Sequence, residues 1–174
     1  TLPLTLFPYT TLFRSLTPKG SVPQSYHEMT DHLFPFKQTS GGADDFLAFI
    51  ENEVDSVIRK RYQTDGGKAG ILGNSFGGLF TYYAFLKQSP LFDKYWFGSP
   101  GLIEEDTRLL DDLPALLQKT DFKGQRIYIS VGERELHHSL YGPLGRNYAK
   151  MVEAFETYPG QNLSMKSQVV IGGT

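Results

Sequence analysis

The stretch Lys68-Ala69-Gly70-Ile71-Leu72-Gly73-Asn74-Ser75-Phe76-Gly77-Gly78 joins a short apolar run to a helical one through a glycine-rich turn. Residues 68–72 read as a strand. Residues 76–88 read as a helix with apolar and aromatic side chains on most sides, the pattern of a buried helix, and Pro90 prevents its continuation. Between them, Gly73-Asn74-Ser75-Phe76-Gly77 has the form G-x-S-x-G, the pattern of a nucleophile elbow. A strand that passes directly into a helix must bend sharply, which strains the backbone at Ser75. Gly73 and Gly77 leave room where a Cβ would collide with neighbouring backbone. The Ser75 hydroxyl would then stand above the sheet at a helix N-terminus, where developing negative charge is favoured, and the Phe76 amide could donate to a tetrahedral oxyanion. The competing reading is a glycine-rich turn whose serine only caps a helix. The apolar strand before, the long helix after and Gly78, which permits close helix–sheet packing, favour the elbow. A P-loop fits less well, because no Gly-Lys-Ser/Thr follows the strand.

Working outward, residues 43–62 form the clearest helix. Phe46, Ile50, Val54, Val57, Ile58 and Tyr62 recur at helical spacing, with Glu51, Asp55, Arg59 and Lys60 on the other side. Asp44 and Asp45 suit the positive end of its dipole, and Arg59, Lys60 and Arg61 the negative end. Residues 16–42 show no period and read as loop. Downstream, strands are expected at 94–98, 126–131 (with Ile127, Ile129 and Val131 on one face) and 165–171, and helices at 107–119 and 144–157. Strands alternating with helices imply an α/β fold with a mostly parallel sheet, flanking helices and right-handed crossovers. Tyr82, Tyr83, Tyr95 and Trp96 are expected in the core rather than in a pocket.

The chain has 174 residues, enough for one domain with a real core and too few for two ordinary ones. A net charge of -2 offers no basic footprint for a nucleic acid. The absence of cysteine excludes disulfides, thiolate metal sites and a cysteine nucleophile, and leaves the compartment open. No apolar stretch approaches the roughly 20 residues of a membrane-spanning helix. Residues 5–15 resemble the in-frame translation of a sequencing adapter, so residues 1–15 are expected to stand outside the fold and 16–174 to form it. Val169-Val170-Ile171-Gly172-Gly173-Thr174 reads as a strand followed by a tight turn, and the chain is expected to be a fragment truncated at both ends. Loss of the early strands would leave an uncovered sheet edge and exposed apolar helix faces, hence poor solubility or the need for a partner.

Elbow hydrolases place their acid after a later strand and their histidine after the last one. Glu133 and Glu135 follow the strand that stops at Gly132. Either could orient a histidine. Glu135 is preferred because many such hydrolases place the acid three residues past the glycine. His27 and His32 precede the serine, and His137 and His138 come too soon after the acid. The base is therefore expected beyond Thr174, and the chain without it should be nearly inactive.

With these residues placed, the chain resembles the putative-esterase family of bacterial α/β-hydrolases, relatives of esterase D and of siderophore esterases. The resemblance rests on Gly41-Gly42-Ala43-Asp44-Asp45-Phe46-Leu47-Ala48-Phe49-Ile50, on Gly73-Asn74-Ser75-Phe76-Gly77-Gly78-Leu79-Phe80, and on Leu91-Phe92-Asp93 leading to Ser99-Pro100. It implies a partial α/β-hydrolase fold and hydrolysis of a small-molecule carboxylic ester through an acyl-enzyme, without metal or organic cofactor. Ser75 carries over as nucleophile and Phe76 as one oxyanion donor. Asn74 stands where relatives often carry His, and some siderophore esterases work with a Ser-His pair and no strong acid, which weakens the claim on Glu135. The alternatives are a non-catalytic ligand- or partner-binding domain of the same fold and an acyltransferase on the same elbow.

Overall fold

A computed structural model describes residues 14–22, 40–103, 108–137 and 142–173. The first long helix begins where Gly41, at φ 97°, turns the chain and Gly42 packs against Arg14. It runs as α1 (Ala43–Phe49), a π-helical turn (Ile50–Val54) and α2 (Asp55–Arg61). A single uninterrupted helix was the expectation. The π turn inserts an extra residue and rotates the face that follows. Ala43 and Leu47 are buried ahead of it, whereas Val57, Ile58 and Tyr62 beyond it are exposed.

Strand β1 (Ala69–Asn74) continues two residues past its expected end and delivers Gly73 and Asn74 to the bend. Helix α3 (Phe76–Leu86) follows at once, and its residues from Gly78 to Phe85 are all buried. Next come β2 (Phe92–Gly98), a 3-10 turn (Arg108–Leu110) and α4 (Leu113–Lys119). The expected helix over 107–119 is thus two pieces, since Pro114 lacks the N–H that a helix interior requires and is accommodated only in the first turn of α4. Strand β3 (Arg126–Gly132), a short helix α5 (Glu133–His137), α6 (Gly142–Thr157) and β4 (Ser164–Val170) complete the described chain. The expected elements did not include α5.

The strands form one four-stranded sheet in the order β1-β2-β3-β4, and every neighbouring pair is parallel. The core lies between the sheet and α3, α4 and α6. Phe85 is its centre, with ring centroids 5.5 Å from Tyr95, 6.0 Å from Phe97, 5.4 Å from Phe122 and 5.9 Å from Phe155. Ile127, Ile129 and Val131 face it together, as their alternation implied. Tyr82, Tyr83 and Tyr95 are core as well. Trp96 departs from expectation: it points to the opposite side of β2 and is 44% exposed. Among the described residues, no helix is long and apolar enough to cross a membrane.

Candidate active site

Because all four strands are parallel, their carboxyl ends share one edge, the side of an open α/β sheet where ligands commonly bind. The loop after β1 is the bend at Ser75. Its backbone has φ 56° and ψ -120°, a combination that costs a non-glycine residue on the order of 1–3 kcal/mol and persists only where the surroundings enforce it. Those surroundings are on both sides of the residue. The Ser75 N–H donates to the Gly98 carbonyl at 2.9 Å, and the Ser75 carbonyl accepts from the amides of Leu79 and Gly101, each at 2.9 Å. Steric closeness does the rest: a Cβ at Gly73 would lie 2.2 Å from the Gly77 oxygen, and one at Gly78 would lie 2.3 Å from the Gly98 oxygen. Gly77 is different, with open space where its Cβ would stand, so the second glycine of the pattern is not demanded by contact here.

Ser75 is exposed, and its hydroxyl makes no capping bond to α3. The serine stands at the positive end of a buried eleven-residue helix, in the place where an attacking oxygen and a developing oxyanion would gain from the dipole. Phe76 opens that helix, and the Ser75–Phe76 peptide packs against Gly101, where a Cβ would come within 3.3 Å of the Phe76 nitrogen. Asn74, the last residue of β1, is exposed.

The loop after β2, Ser99-Pro100-Gly101-Leu102, is buried. Asn147 of α6, itself buried, donates to the Leu102 carbonyl at 2.9 Å and holds the loop down. Ser99 has a φ of 37°, a second strained residue next to the first. Its hydroxyl donates to Glu135 Oε2 at 2.5 Å, and the Gly132 N–H donates to the same oxygen at 2.8 Å. Glu135 is thus linked to the bend through the Ser99–Gly101 loop. Glu133 is exposed and accepts from the Gly172 N–H at 2.9 Å, while the Arg134 N–H donates to the Gly173 carbonyl at 3.2 Å. The turn after β4 is thereby tied to α5.

The structure therefore gathers Ser75, Phe76, Glu133 and Glu135 on one edge and gives the two glutamates different partners. His137 is exposed on α5. His27, His32, His138 and Thr174 lie outside the described residues, as do residues 1–13 of the supposed adapter segment. Arg14 is described, and its carbonyl accepts the Gly42 N–H at 2.8 Å. From the sequence, Ser99 entered only as part of the Ser99-Pro100 that follows a strand and carries the family resemblance, with no role of its own. A serine next to proline directly after a strand was the available signal, but its carboxylate partner lies 36 residues away.

The family model described as Putative esterase matches residues 17–150. Ferri-bacillibactin esterase BesA of Bacillus subtilis is 33% identical over 100 residues, which are 56% of this chain and 35% of that protein. The crystal structure of the BES protein from Bacillus cereus superimposes with a TM-score of 0.73 at 22% identity, covering 95% of this chain and 60% of that one. An IroE-like serine hydrolase from Shewanella oneidensis superimposes at a TM-score of 0.70 and 24% identity, over 91% of this chain and 49% of that one. The fold is that of these proteins, an α/β-hydrolase-type parallel sheet with flanking helices. The chain spans about a third of the length of the curated relative and 60% of the Bacillus cereus structure.

Proposed function

The chain belongs to the Putative esterase family, and from that premise we propose that it is the elbow-bearing part of a serine carboxylic-ester hydrolase with Ser75 as nucleophile. The observation that carries this reading is the strained backbone of Ser75 beneath an exposed hydroxyl at the head of α3. Strain of this kind is retained where it aims a reactive atom.

In the proposed reaction the Ser75 Oγ attacks the ester carbonyl carbon and its proton passes to an imidazole. The carbonyl oxygen becomes an oxyanion, received by the Phe76 amide. Collapse breaks the acyl C–O bond, the alcohol leaves with the proton from the imidazolium, and water then releases the acid from the acyl-serine. Glu135 is the acid proposed to orient the imidazole, with Glu133 the alternative. The engagement of Glu135 Oε2 by Ser99 and Gly132 favours a steadied carboxylate. The histidine is proposed to follow Thr174. The anchoring of Gly172 and Gly173 on α5 supports this, because the chain leaves β4 beside both glutamates. Without that imidazole the 174-residue chain turns over slowly or not at all. A siderophore ester of the kind for which the Bacillus subtilis relative is named is the first substrate to try.

Labelling with a fluorophosphonate, followed by intact-mass and peptide analysis, tests the nucleophile. One adduct on Ser75 is expected, formed slowly, accelerated by added imidazole and abolished in Ser75→Ala. An adduct that survives Ser75→Ala, or none in a longer chain carrying the histidine, would overturn the assignment.

A further inference from the structure

Ser75 and Glu135 stand after β1 and β3, and β2 runs between those two strands. Ser99, the first residue after β2, reaches toward both. By its backbone it belongs to the elbow. Gly98 before it accepts the Ser75 N–H, and Gly101 after it donates to the Ser75 carbonyl, each at 2.9 Å. Its own N–H donates to the Ser130 carbonyl at 2.7 Å, which fixes it to β3. By its side chain it belongs to the acid, since its Oγ donates to Glu135 Oε2 at 2.5 Å. Ser99 is buried and holds φ at 37°, a conformation that glycine would adopt without strain. What a serine contributes at this place is its hydroxyl.

The carboxylate oxygen that it meets is fully used. Each oxygen of an ionised carboxylate offers about two acceptor sites. The Ser99 hydroxyl and the Gly132 N–H, at 2.8 Å, occupy those of Oε2. The backbone closes on the same atom, because a Cβ at Gly132 would lie 2.9 Å from it. Oε1 is then the oxygen left to receive an imidazole N–H. Resting on the reading of Ser75 as nucleophile and Glu135 as acid, we propose that Ser99 is a positioning residue of that reaction. Its hydroxyl fixes which Glu135 oxygen meets the imidazole. Through the strap from Gly98 to Gly101, it ties that oxygen to the backbone that aims Ser75. Its contribution falls on the chemical step and leaves substrate binding alone.

The test uses a longer chain carrying the histidine, with p-nitrophenyl acetate as substrate. Ser99→Ala is expected to lower kcat about tenfold while KM stays within about twofold, because acylation and deacylation both use the imidazole and slow together. Ser99→Gly removes the same hydroxyl and relieves the backbone, so it should lose as much kcat while melting no lower than the parent. That variant separates lost positioning from lost folding. In a Glu135→Ala background, Ser99→Ala should cost nothing further, because the hydroxyl has no carboxylate left to hold. A Ser99→Gly variant with the parent kcat would overturn the proposal and leave Glu135 as the acid. So would a Ser99→Ala penalty that persists undiminished in the Glu135→Ala background. Full kcat in Glu135→Ala itself would remove the acid and this proposal together, and turnover surviving Ser75→Ala would remove the nucleophile as well.

Discussion

The two faces of this sheet are built by alternate residues of the same strands, yet they differ completely in what they touch. On one side Tyr95, Phe97, Ile127, Ile129 and Val131 are buried beneath α3, α4 and α6. On the other, Lys94, Trp96 and Arg126 are exposed one position away. Strand geometry supplies the alternation, because successive side chains point to opposite faces. It does not supply the cover. Whether an apolar side chain becomes core or open surface depends on which segment arrives to lie on it.

The sharpest way to break this contrast is to delete one aromatic from each face. Phe85→Ala removes the ring around which Tyr95, Phe97, Phe122 and Phe155 pack and should cost about 3–5 kcal/mol. Trp96→Ala should cost less, about 1–2 kcal/mol, from the lost edge-to-face contact with Tyr128 and the lost hydrogen bond to Ser130. Urea unfolding of dilute protein, followed by circular dichroism, measures both. A large loss for Trp96→Ala would mean that its face is already covered in solution. A paired glycine test is next in size. Gly78→Ala drives a methyl into the Gly98 carbonyl, with no flexible neighbour to yield, and should cost about 1–3 kcal/mol. At Gly70, on the open face, the nearest atom to an added Cβ is the Lys94 Cβ at 3.5 Å, so Gly70→Ala should be neutral or slightly stabilising. If Gly70→Ala proved as costly as Gly78→Ala, the two faces would be equally confined.

Association gives a smaller but direct reading of the open face. Leu72→Lys should reduce concentration-dependent light scattering while leaving the unfolding midpoint nearly unchanged. Scattering that is indifferent to this substitution would locate the sticky surface elsewhere, with the exposed Val57 and Ile58 the next candidates.

The weakest effect belongs to the surface of the helical layer. There the Tyr83 hydroxyl donates to Asp44 at 2.7 Å and Lys87 approaches the same carboxylate at 3.0 Å. The Tyr83 hydrogen bond first, and then Lys87, hold the Asp44 carboxyl below its ordinary value of 3.8. A depressed carboxyl stabilises the fold at every pH above its unfolded value and loses that contribution as the pH falls through the folded one. Asp44→Asn should therefore cost less than about 1 kcal/mol at neutral pH, since the pair is largely exposed, and nothing in strong acid. Thermal unfolding at both extremes checks the sign, and an effect that grew on acidification would contradict it.

Local chemistry made much of this legible without coordinates. The apolar run before Gly73, the unbroken hydrophobicity after Ser75 and Pro90 beyond it are properties of adjacent residues, and they determined strand, bend and buried helix. The alternation of Ile127, Ile129 and Val131 likewise named its own inner face. Other features depended on residues far apart in the chain. The π turn at Ile50–Val54 leaves Val57 and Ile58 exposed on a helix whose periodicity alone would bury them. Glu135 gained its partner Ser99 from another strand end. Trp96 lies open because its side of the sheet has no cover among the described residues, and burial is a property of a neighbour's position, which a residue's own identity does not encode.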